Sequence, residues 1–373
     1  METKILLVGS GGYGAVYARQ LYGAAHAREN VCVAGVVDPY AAKGPLYEAI
    51  CAAGTPIYNT VQEFYAQDRA DLAVIATPIP LHREQASACL QAGSHVLLEK
   101  PICAEMEQAK AIAAARDASG KQLAIGFQWC WDGAMQRLRE LARSGKLGAP
   151  VRLRALVIWP RDFAYYGRGS GWAGKEYDAK GNPIFDSVAS NATAHYLFNM
   201  FWVTGRAPVA CSAQTYRANE IETYDTAFFR YALQGGGEAL FIATHAAENE
   251  RAVNPRFVYE FERGRAVFGE EDNHIRVFAE GETIDLGESS RDNCLKLWQM
   301  VDVARGEESI PCTAEEAMMH LQAIEMARAA QPHARCFAHI EKDEKRAWAP
   351  GLYDAAMRCY ASFRLPQEAG LAL

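Results

Sequence analysis

The sequence predicts an α/β fold in two domains: a parallel sheet flanked by helices, then an α+β domain with a large open, mostly antiparallel sheet. The 373 residues are too many for one ordinary domain. Apolar runs alternate with helical segments up to residue 127, and hairpin patterns follow. We therefore expect domains at 1–127 and 128–373, with 332–373 as a C-terminal helical extension.

In the first domain, short apolar runs predict strands. The runs 31–38 and 71–77 are typical of strands buried on both faces of a sheet. Gly93 and Gly120 are of the residue type that commonly ends helices. The predicted strands are 4–8, 31–38, 71–77, 95–98 and 123–127, and the predicted helices are 12–27, 41–53, 81–91 and 105–119.

The second domain changes to hairpins. The glycines at 235–237 permit the positive φ values of a tight turn between two apolar strands. The predicted strands are 151–159, 226–233, 238–244, 257–261, 266–268 and 275–279. The predicted helices are 135–143, 191–203, 293–304, 313–330 and 352–363, and a glycine-rich loop occupies 166–181.

Charge and residue spacing exclude several classes of function. Lys and Arg number 38 against 45 Asp and Glu, whereas nucleic-acid-binding surfaces are basic. No apolar run approaches the roughly 20 residues that cross a bilayer, and the first residues lack the pattern of a signal peptide, so we expect a cytoplasmic protein without membrane contact. The ten cysteines and nine histidines lack the paired spacings of disulfide frameworks or metal sites. We therefore expect free thiols and no metal.

A glycine-rich turn joins the first predicted strand to the first predicted helix. Gly9 permits a tight turn, Gly11 lets the backbone approach a pyrophosphate, and Gly14 lets the helix pack closely on the strand. The whole run matches G-x-G-x-x-G and reads Gly9-Ser10-Gly11-Gly12-Tyr13-Gly14. We predict that these six residues bind a dinucleotide, which makes 1–127 a Rossmann domain.

A carboxylate ends the second predicted strand. Asp38 stands where it can accept hydrogen bonds from the ribose of an adenosine. The next residues, Pro39 and Tyr40, offer no cation for a 2′-phosphate, so we expect NAD in preference to NADP. A solvated carboxylate at a strand end is the alternative role for Asp38.

Two further motifs follow the predicted strands 71–77 and 95–98. They are Thr77-Pro78, with His82 shortly after, and Glu99-Lys100-Pro101. Together with the glycine turn, they make the chain resemble the glucose-fructose oxidoreductase / inositol dehydrogenase / rhizopine catabolism family from residue 4 to about residue 330. The resemblance implies cofactor contacts at Thr77, Pro78, His82, Glu99 and Lys100.

The resemblance also places Lys100 near the nicotinamide and the substrate. A lysine in a closed pocket can be desolvated, which lowers its pKa and lets it deprotonate or hydrogen-bond an alcohol. A structural lysine paired with Glu99 or another carboxylate is the alternative. The family often has a cis bond before the proline, so we expect one between Lys100 and Pro101.

The segment 191–200 carries the remaining catalytic candidates. Many relatives have Asp-x-Gly-x-His here, which puts both side chains on one helix face, so the resemblance makes His195 the acid/base or alcohol-orienting residue. Asn191 stands where those relatives have Asp; it can hold a hydroxyl or orient His195, but it cannot act as a base. Asp186 is a candidate for supplying the missing charge. The alternative for His195 is a core histidine on an apolar helix.

The loop 160–181 combines aromatic and charged side chains, among them Arg161, Tyr165 and Trp172. Rings stack on the C–H faces of sugars and charges bind hydroxyls, so these three residues are candidate substrate contacts beside Lys100. Long structured loops near sites are often lids. An oligomer contact is the alternative, because aromatic residues and Arg also favour interfaces.

The resemblance implies an NAD-dependent oxidoreductase that acts on a secondary hydroxyl of a sugar, polyol or sugar derivative. Lys100 and His195 would share that hydroxyl, in a cleft between the domains. Two alternatives stay open: a glycosidase that uses NAD in transient oxidation, elimination, hydration and re-reduction, and a non-catalytic NAD-binding regulator. Of these two alternatives, the glycosidase is favoured by Asn191, which stands where many relatives have Asp.

A broad sheet with one face on helices leaves its other face for a partner. The resembled family commonly pairs through that face, so we predict a homodimer or a homotetramer. The predicted helix 352–363 packs either back on the sheet or onto another subunit.

Overall fold

The computed structural model describes residues 2–23, 28, 30–168, 171–248, 252–290 and 292–373. The chain forms two compact units, Met1–Trp131 with Asp292–Met318, and Asp132–Arg291 with Met319–Leu373. The sequence analysis assigns residues 292–318 to the second domain, whereas the structure packs them with the first unit. No helix of the described residues is long and apolar enough to cross a membrane.

The first unit contains a six-stranded parallel sheet, as predicted. Its strands are β1 (Thr3–Val8), β2 (Val31–Val37), β3 (Ile57–Tyr58), β4 (Leu72–Ile75), β5 (His95–Leu98) and β6 (Leu123–Ile125). They are ordered β3-β2-β1-β4-β5-β6. The first half of β2 is only half-buried, so the expectation of burial along the whole run is wrong there.

Five helices of the first unit lie between these strands. They are α1 (Gly14–Tyr22), α2 (Tyr47–Ala52), α3 (Val61–Gln67), α4 (His82–Gln91) and α5 (Met106–Ser119). The predicted helix 12–27 ends at Tyr22, and its residues 24–27 lie outside the described residues. The predicted helix 41–53 is a short 3₁₀ turn followed by α2, because Gly44 and Pro45 interrupt it.

The second unit contains a nine-stranded sheet, mostly antiparallel as predicted. Its strands are β7 (Pro150–Ile158), β8 (Pro208–Arg217), β9 (Thr226–Leu233), β10 (Glu238–Thr244), β11 (Val253–Phe261), β12 (Gly264–Phe268), β13 (His274–Ala279), β14 (Glu282–Glu288) and β15 (Arg335–Cys336). They are ordered β14-β13-β12-β11-β7-β10-β9-β8-β15. Three of these strands, β8, β14 and β15, were not predicted from the sequence.

The remaining elements are mostly helices. They are α6 (Gly133–Arg143), α7 (Phe163–Tyr166), α8 (Ala194–Thr204), α9 (Leu295–Ala304), α10 (Ala314–Ala330) and α11 (Leu352–Ser362), with a hairpin of β16 (Glu341–Lys342) and β17 (Ala347–Trp348). The predicted helix 191–203 is wrong at its start, because a π-helical turn, Val188–Ala192, precedes α8. The Ser187 hydroxyl caps that turn by accepting the Ser190 N–H.

Helices cover both faces of the nine-stranded sheet. On one face, Phe201 of α8 packs edge-on against Tyr231 of β9, with ring centroids 5.5 Å apart. On the other face, Leu240 and Ile242 of β10 belong to the same apolar core as Tyr360 of α11. The C-terminal extension therefore packs back on its own sheet, one of the two placements the sequence left open.

Polar residues of the sheet also hold the extension. The Arg154 guanidinium donates to the carbonyl oxygens of Tyr360 and Ala361 at 3.3 and 3.2 Å. Arg230 makes two 2.8 Å bonds to the Glu368 carboxylate. The prediction of a homodimer or homotetramer rested on an uncovered face, and α11 fills that face over β7 and β10. Oligomeric state stays a prediction that needs a different surface.

Candidate functional site

The glycine turn follows β1 and requires glycine at two positions. A Cβ on Gly14 would lie 2.0 Å from the Gly9 carbonyl oxygen, so no side chain fits there. Gly9 has φ +86°, and a Cβ would also meet Thr77. A Cβ on Gly11, in contrast, would meet no described atom within 4 Å. The backbone at Gly11 is therefore open to a close ligand.

The N-terminus of α1 can bind an anion. No side chain of the described residues caps it, and the residue before the helix is Tyr13. The first backbone N–H groups of a helix have no partner within the helix, and its dipole favours negative charge. The open backbone at Gly11 and this helix end fit the pyrophosphate of a dinucleotide.

Asp38 lies directly after β2, beside the glycine turn. Its Oδ2 accepts the Ser10 N–H at 2.9 Å and the Ser10 hydroxyl at 2.7 Å, and its Oδ1 accepts the Tyr40 N–H at 2.8 Å. Three bonds thus fix the carboxylate. The Lys43 ammonium, which the sequence analysis did not consider, lies 5.6 Å from the Tyr40 ring.

His82 connects two loops of the first unit. Its Nε2 lies 2.9 Å from the Thr77 carbonyl oxygen and its Nδ1 lies 3.0 Å from the Pro101 carbonyl oxygen. Burial lowers the pKa of the imidazole, against these two hydrogen bonds. Because the chain itself engages both ring nitrogens, His82 positions the Thr77-Pro78 and Glu99-Lys100-Pro101 loops. The expectation that it also contacts the cofactor stays a prediction.

Glu99 anchors a buried polar network. Its Oε1 accepts the Tyr17 hydroxyl and the Lys296 ammonium, each at 2.5 Å. The Lys296 ammonium also donates to the Gly126 carbonyl at 2.9 Å. Glu99 and Lys296 are only 5% and 1% exposed. Glu99 thus has partners within its own unit, and its predicted role as a cofactor contact stays a prediction.

Lys100 follows β5 with its backbone held by this network. Its backbone N–H donates to Glu99 Oε2 at 3.2 Å, and the expected cis peptide bond to Pro101 is confirmed. The carboxylate of Glu99 forms its ion pair with Lys296. The sequence analysis missed Tyr17 and Lys296. One signal was available for Lys296, a single cation in the apolar run of α9.

The structure brings Asp186 and Asn191 together in the second unit. Asp186 Oδ1 accepts the Asn191 side-chain N–H at 2.7 Å, and its Oδ2 accepts the Gly174 N–H at 2.7 Å. Asp186 is buried. A carboxylate therefore stands next to the amide that replaces the usual Asp.

His195 is the second residue of α8 and is 8% exposed. Asn191 lies in the preceding π-helical turn, so the two residues do not belong to one continuous α-helix as predicted. The His195 ring lies 6.2 Å from the Tyr196 ring, and Tyr196 packs edge-on against Trp159 at 5.5 Å.

The loop after β7 is built around Tyr165. The guanidinium groups of Arg161 and Arg168 lie 4.8 and 3.5 Å from its ring, and Arg168 also lies 5.4 Å from the Trp172 ring. Burial raises the pKa of Tyr165, and the charge of Asp186 adds to this. Residues 169–170 of this loop lie outside the described residues.

His245 follows β10 and was missed by the sequence analysis. Its Nδ1 lies 3.3 Å from the Tyr166 hydroxyl, and its backbone carbonyl accepts the Arg161 N–H at 3.1 Å. Burial, and then the charges of Arg161 and Arg168, hold the pKa of His245 well below its usual range. The position after a strand was the only signal for it. No group of His, Cys, Asp and Glu side chains in the described part of the chain could hold a metal ion.

Family models match both units. The model described as "Oxidoreductase family, NAD-binding Rossmann fold" matches residues 3–127. The GFO/IDH/MocA C-terminal domain model matches residues 135–271.

Curated relatives match parts of the chain. An inositol 2-dehydrogenase of Rhodococcus erythropolis is 41% identical over 87 residues, 23% of this chain and 25% of that protein. The scyllo-inositol 2-dehydrogenase (NADP(+)) IolW of Bacillus subtilis is 31% identical over 91 residues, 24% and 25% of the two chains. A 1,5-anhydro-D-fructose reductase of Ensifer adhaerens is 26% identical over 170 residues, 45% and 49% of the two chains. The matches thus span about a quarter to a half of these relatives.

Solved structures share the fold along most of the chain. The WlbA dehydrogenase of Chromobacterium violaceum, in complex with NADH and UDP-GlcNAcA, has a TM-score of 0.72 and 21% identity over 94% of this chain and 96% of that one. The myo-inositol 2-dehydrogenase of Lactobacillus plantarum has a TM-score of 0.68 and 17% identity over 89% and 98%.

Proposed function

Because this chain belongs to the GFO/IDH/MocA oxidoreductase family, we propose that it is an NAD-dependent dehydrogenase of a sugar, polyol or sugar derivative. One observation carries the proposal. Gly9, Asp38, Thr77 and Glu99 follow the carboxyl ends of β1, β2, β4 and β5, which are neighbours in one parallel sheet. Ligands of such sheets bind outside the carboxyl ends of the strands.

Lys100 acts on the substrate hydroxyl in this proposal. It comes directly after Glu99, at the same edge of the sheet as the glycine turn, and its side chain is half-buried. There it hydrogen-bonds the hydroxyl and takes its proton as the carbon is oxidised. NAD, when bound, supplies the hydride acceptor.

His195 shares the proton work in this proposal, and Asn191 and Asp186 support it. Asp186 gives Asn191 a fixed orientation through the 2.7 Å bond. The N–H of Gly174 holds its second oxygen, also at 2.7 Å. The pair therefore provides negative charge near the start of α8 without an acidic residue at position 191.

We propose NAD over NADP on the basis of Asp38. Its carboxylate is fixed by three hydrogen bonds and would repel a 2′-phosphate. Lys43 opposes this preference, because a cation can bind a 2′-phosphate and the Lys43 ammonium lies near the Tyr40 ring. One relative, IolW, is named for NADP(+), so the preference needs a direct measurement.

A glycosidase that oxidises and later re-reduces its substrate is the second candidate. The amide at Asn191 favours it, because it departs from the carboxylate of many relatives. Oxidation at one carbon acidifies the neighbouring C–H, elimination expels the aglycone, water adds, and the hydride returns. The presence of Lys100 and His195 argues against a non-catalytic regulator, because such a protein would not need these two proton-transfer residues.

The proposed setting is the cytoplasm, with a small sugar-like molecule as partner. The ten cysteines are all free, which suits a reducing compartment. A homodimer or homotetramer remains proposed, through a surface other than the face covered by α11.

The test is incubation of the full chain with NAD and a panel of sugars, polyols and glycosides. Absorbance of NADH and release of aglycone are followed together. The proposal expects NADH to accumulate in proportion to substrate consumed. Aglycone release without net NADH would establish the glycosidase instead, and neither signal with any compound would contradict both enzymes.

A further inference from the structure

A groove in the second unit has a basic lining. Its volume is about 480 Å³, and it lies between the loop after β7 and the β16–β17 hairpin. The loop contributes Arg161 and Tyr165, and the hairpin contributes Lys345 and Arg346.

Two arginines of this groove have buried nitrogen atoms that lack a hydrogen-bond acceptor. Arg346 is only 8% exposed, and its Nε and Nη1 have no partner among the described residues. The same holds for Nε of Arg161. A buried charged donor without an acceptor is costly, so such groups usually have a partner. An acceptor supplied by a ligand would complete both guanidinium groups.

The nearby carboxylates are committed to the backbone. Asp162 accepts the Tyr165 N–H at 2.8 Å and thereby caps α7. Asp343 accepts the N–H groups of Lys345 and Arg346 at 2.7 and 2.9 Å. Both aspartates are exposed. The lining carries three cationic side chains against these two carboxylates, so one positive charge is in excess.

The groove adjoins the His195 region within the second unit. The Arg161 guanidinium lies 5.6 Å from the Trp159 ring, Trp159 packs on Tyr196, and Tyr196 contacts His195. Three successive side-chain contacts therefore connect Arg161 to His195.

We propose that Arg161 and Arg346 bind an anionic group, a carboxylate or a phosphate, carried by the sugar-like substrate. The planar guanidinium matches the two oxygens of such groups, and the bonds are charge-assisted. This inference rests on the proposed function and specifies its substrate class.

The extension supplies half of this site. Arg346 lies between β16 and β17, outside the residues that the family models match. The Lys345 carbonyl accepts the Phe163 N–H at 2.7 Å, which fixes the hairpin to α7. Preference for an anionic substrate is thus a property that the extension adds to the common fold.

The test is calorimetry on the full chain with NAD present. The probes are glucose, glucuronate, glucose 6-phosphate and inorganic phosphate, so the arms separate carboxylate, phosphate and neutral sugar. We expect at least one charged sugar to bind about tenfold or more tightly than glucose. Arg346→Gln and Arg161→Gln should each remove that difference, while Arg358→Gln, an exposed arginine on α11, should keep it.

Three results would overturn the inference: equal binding of charged and neutral sugars, no binding of any charged probe, or an unchanged preference in both groove variants. The two arginines lie on separate segments, so misfolding of one variant leaves the other informative. Anion binding that depends on both arginines, without NADH from any compound, would defeat the proposed dehydrogenase but keep the site. Turnover of neutral polyols without a preference for anionic substrates would support the proposed dehydrogenase and contradict the anion site.

Discussion

Asp38 is held in place by the chain itself, because Ser10 and Tyr40 donate three hydrogen bonds to its carboxylate. A fixed negative charge at this strand end should discriminate against a 2′-phosphate. We expect tighter binding of NAD(H) than NADP(H), and Asp38→Ala should narrow the difference. Calorimetry with both cofactors measures it, and Glu84→Ala, an exposed carboxylate of α4, is the control. Equal affinities in the unmutated chain would contradict this.

Asn191 offers a pH-dependent test. Asn191→Asp would put a second carboxylate 2.7 Å from Asp186 Oδ1, and two carboxylates that close raise the pKa of one of them. The two carboxylates keep a hydrogen bond between them as long as they share a proton. They lose this hydrogen bond when the pH rises through the raised pKa and the shared proton dissociates. We expect kcat/KM of the variant to fall further below that of the unmutated enzyme, measured at the same pH, as the pH rises.

The control for this prediction is the split between kcat and KM. A raised KM with an unchanged pH profile would contradict this prediction. It would mean that the Asn191 side chain binds a substrate hydroxyl and not the Asp186 carboxylate.

Motif residues were predictable from the sequence, whereas some of their hydrogen-bond partners were not. The glycine spacing and the motif around Lys100 could be predicted because each rests on local backbone geometry. The partners of Glu99 could not, since Tyr17 and Lys296 lie 82 and 197 positions away along the chain.

The helix α9 is joined to β5 through the buried pair of Lys296 and Glu99. Lys296→Met leaves the carboxylate buried without its cation, and breaking a buried pair costs about 3–5 kcal/mol. We expect that loss in the free energy of unfolding, measured by urea denaturation. The double variant Lys296→Met/Glu99→Gln should recover part of it. Lys110→Met, from an exposed pair with Glu107, is the control, and an equal effect there would contradict the argument.

Element boundaries were predictable where a local signal exists. Gly120 and Gly205 end α5 and α8 in left-handed conformations. The missed helix α3 also carries a signal, since Thr60 accepts the Glu63 N–H and Glu63 accepts the Asn59 N–H. The π-helical turn before α8 also has a local signal, because Ser187 and Ser190 cap it reciprocally.

The extension completes the second unit by covering the sheet face formed in part by Leu240 and Ile242. Removal of residues 351–373 would expose this apolar face, and exposed apolar patches of this kind drive association. We expect the truncated chain to show a larger mass than the full chain by light scattering, or to aggregate. An unchanged mass with intact secondary structure would contradict it.

At the scale of the whole molecule, the two sheet architectures followed from the alternation of apolar segments. The assignment of residues to the two units did not follow from this pattern, because residues 292–318 belong to the first unit. Contacts such as that of Lys296 with Glu99 depend on residues about 200 positions apart, as in any long-range pairing. No local pattern encodes them.

The most direct test of the account is the turnover of Lys100→Met with the first compound that gives NADH. A proton-transfer role contributes about 10²–10⁴-fold, so turnover should fall in that range. NAD affinity, measured by calorimetry on the same samples, should stay close to that of the unmutated chain, and Lys110→Met should change neither. Turnover of Lys100→Met at the unmutated rate would contradict the mechanism, even with the fold correct.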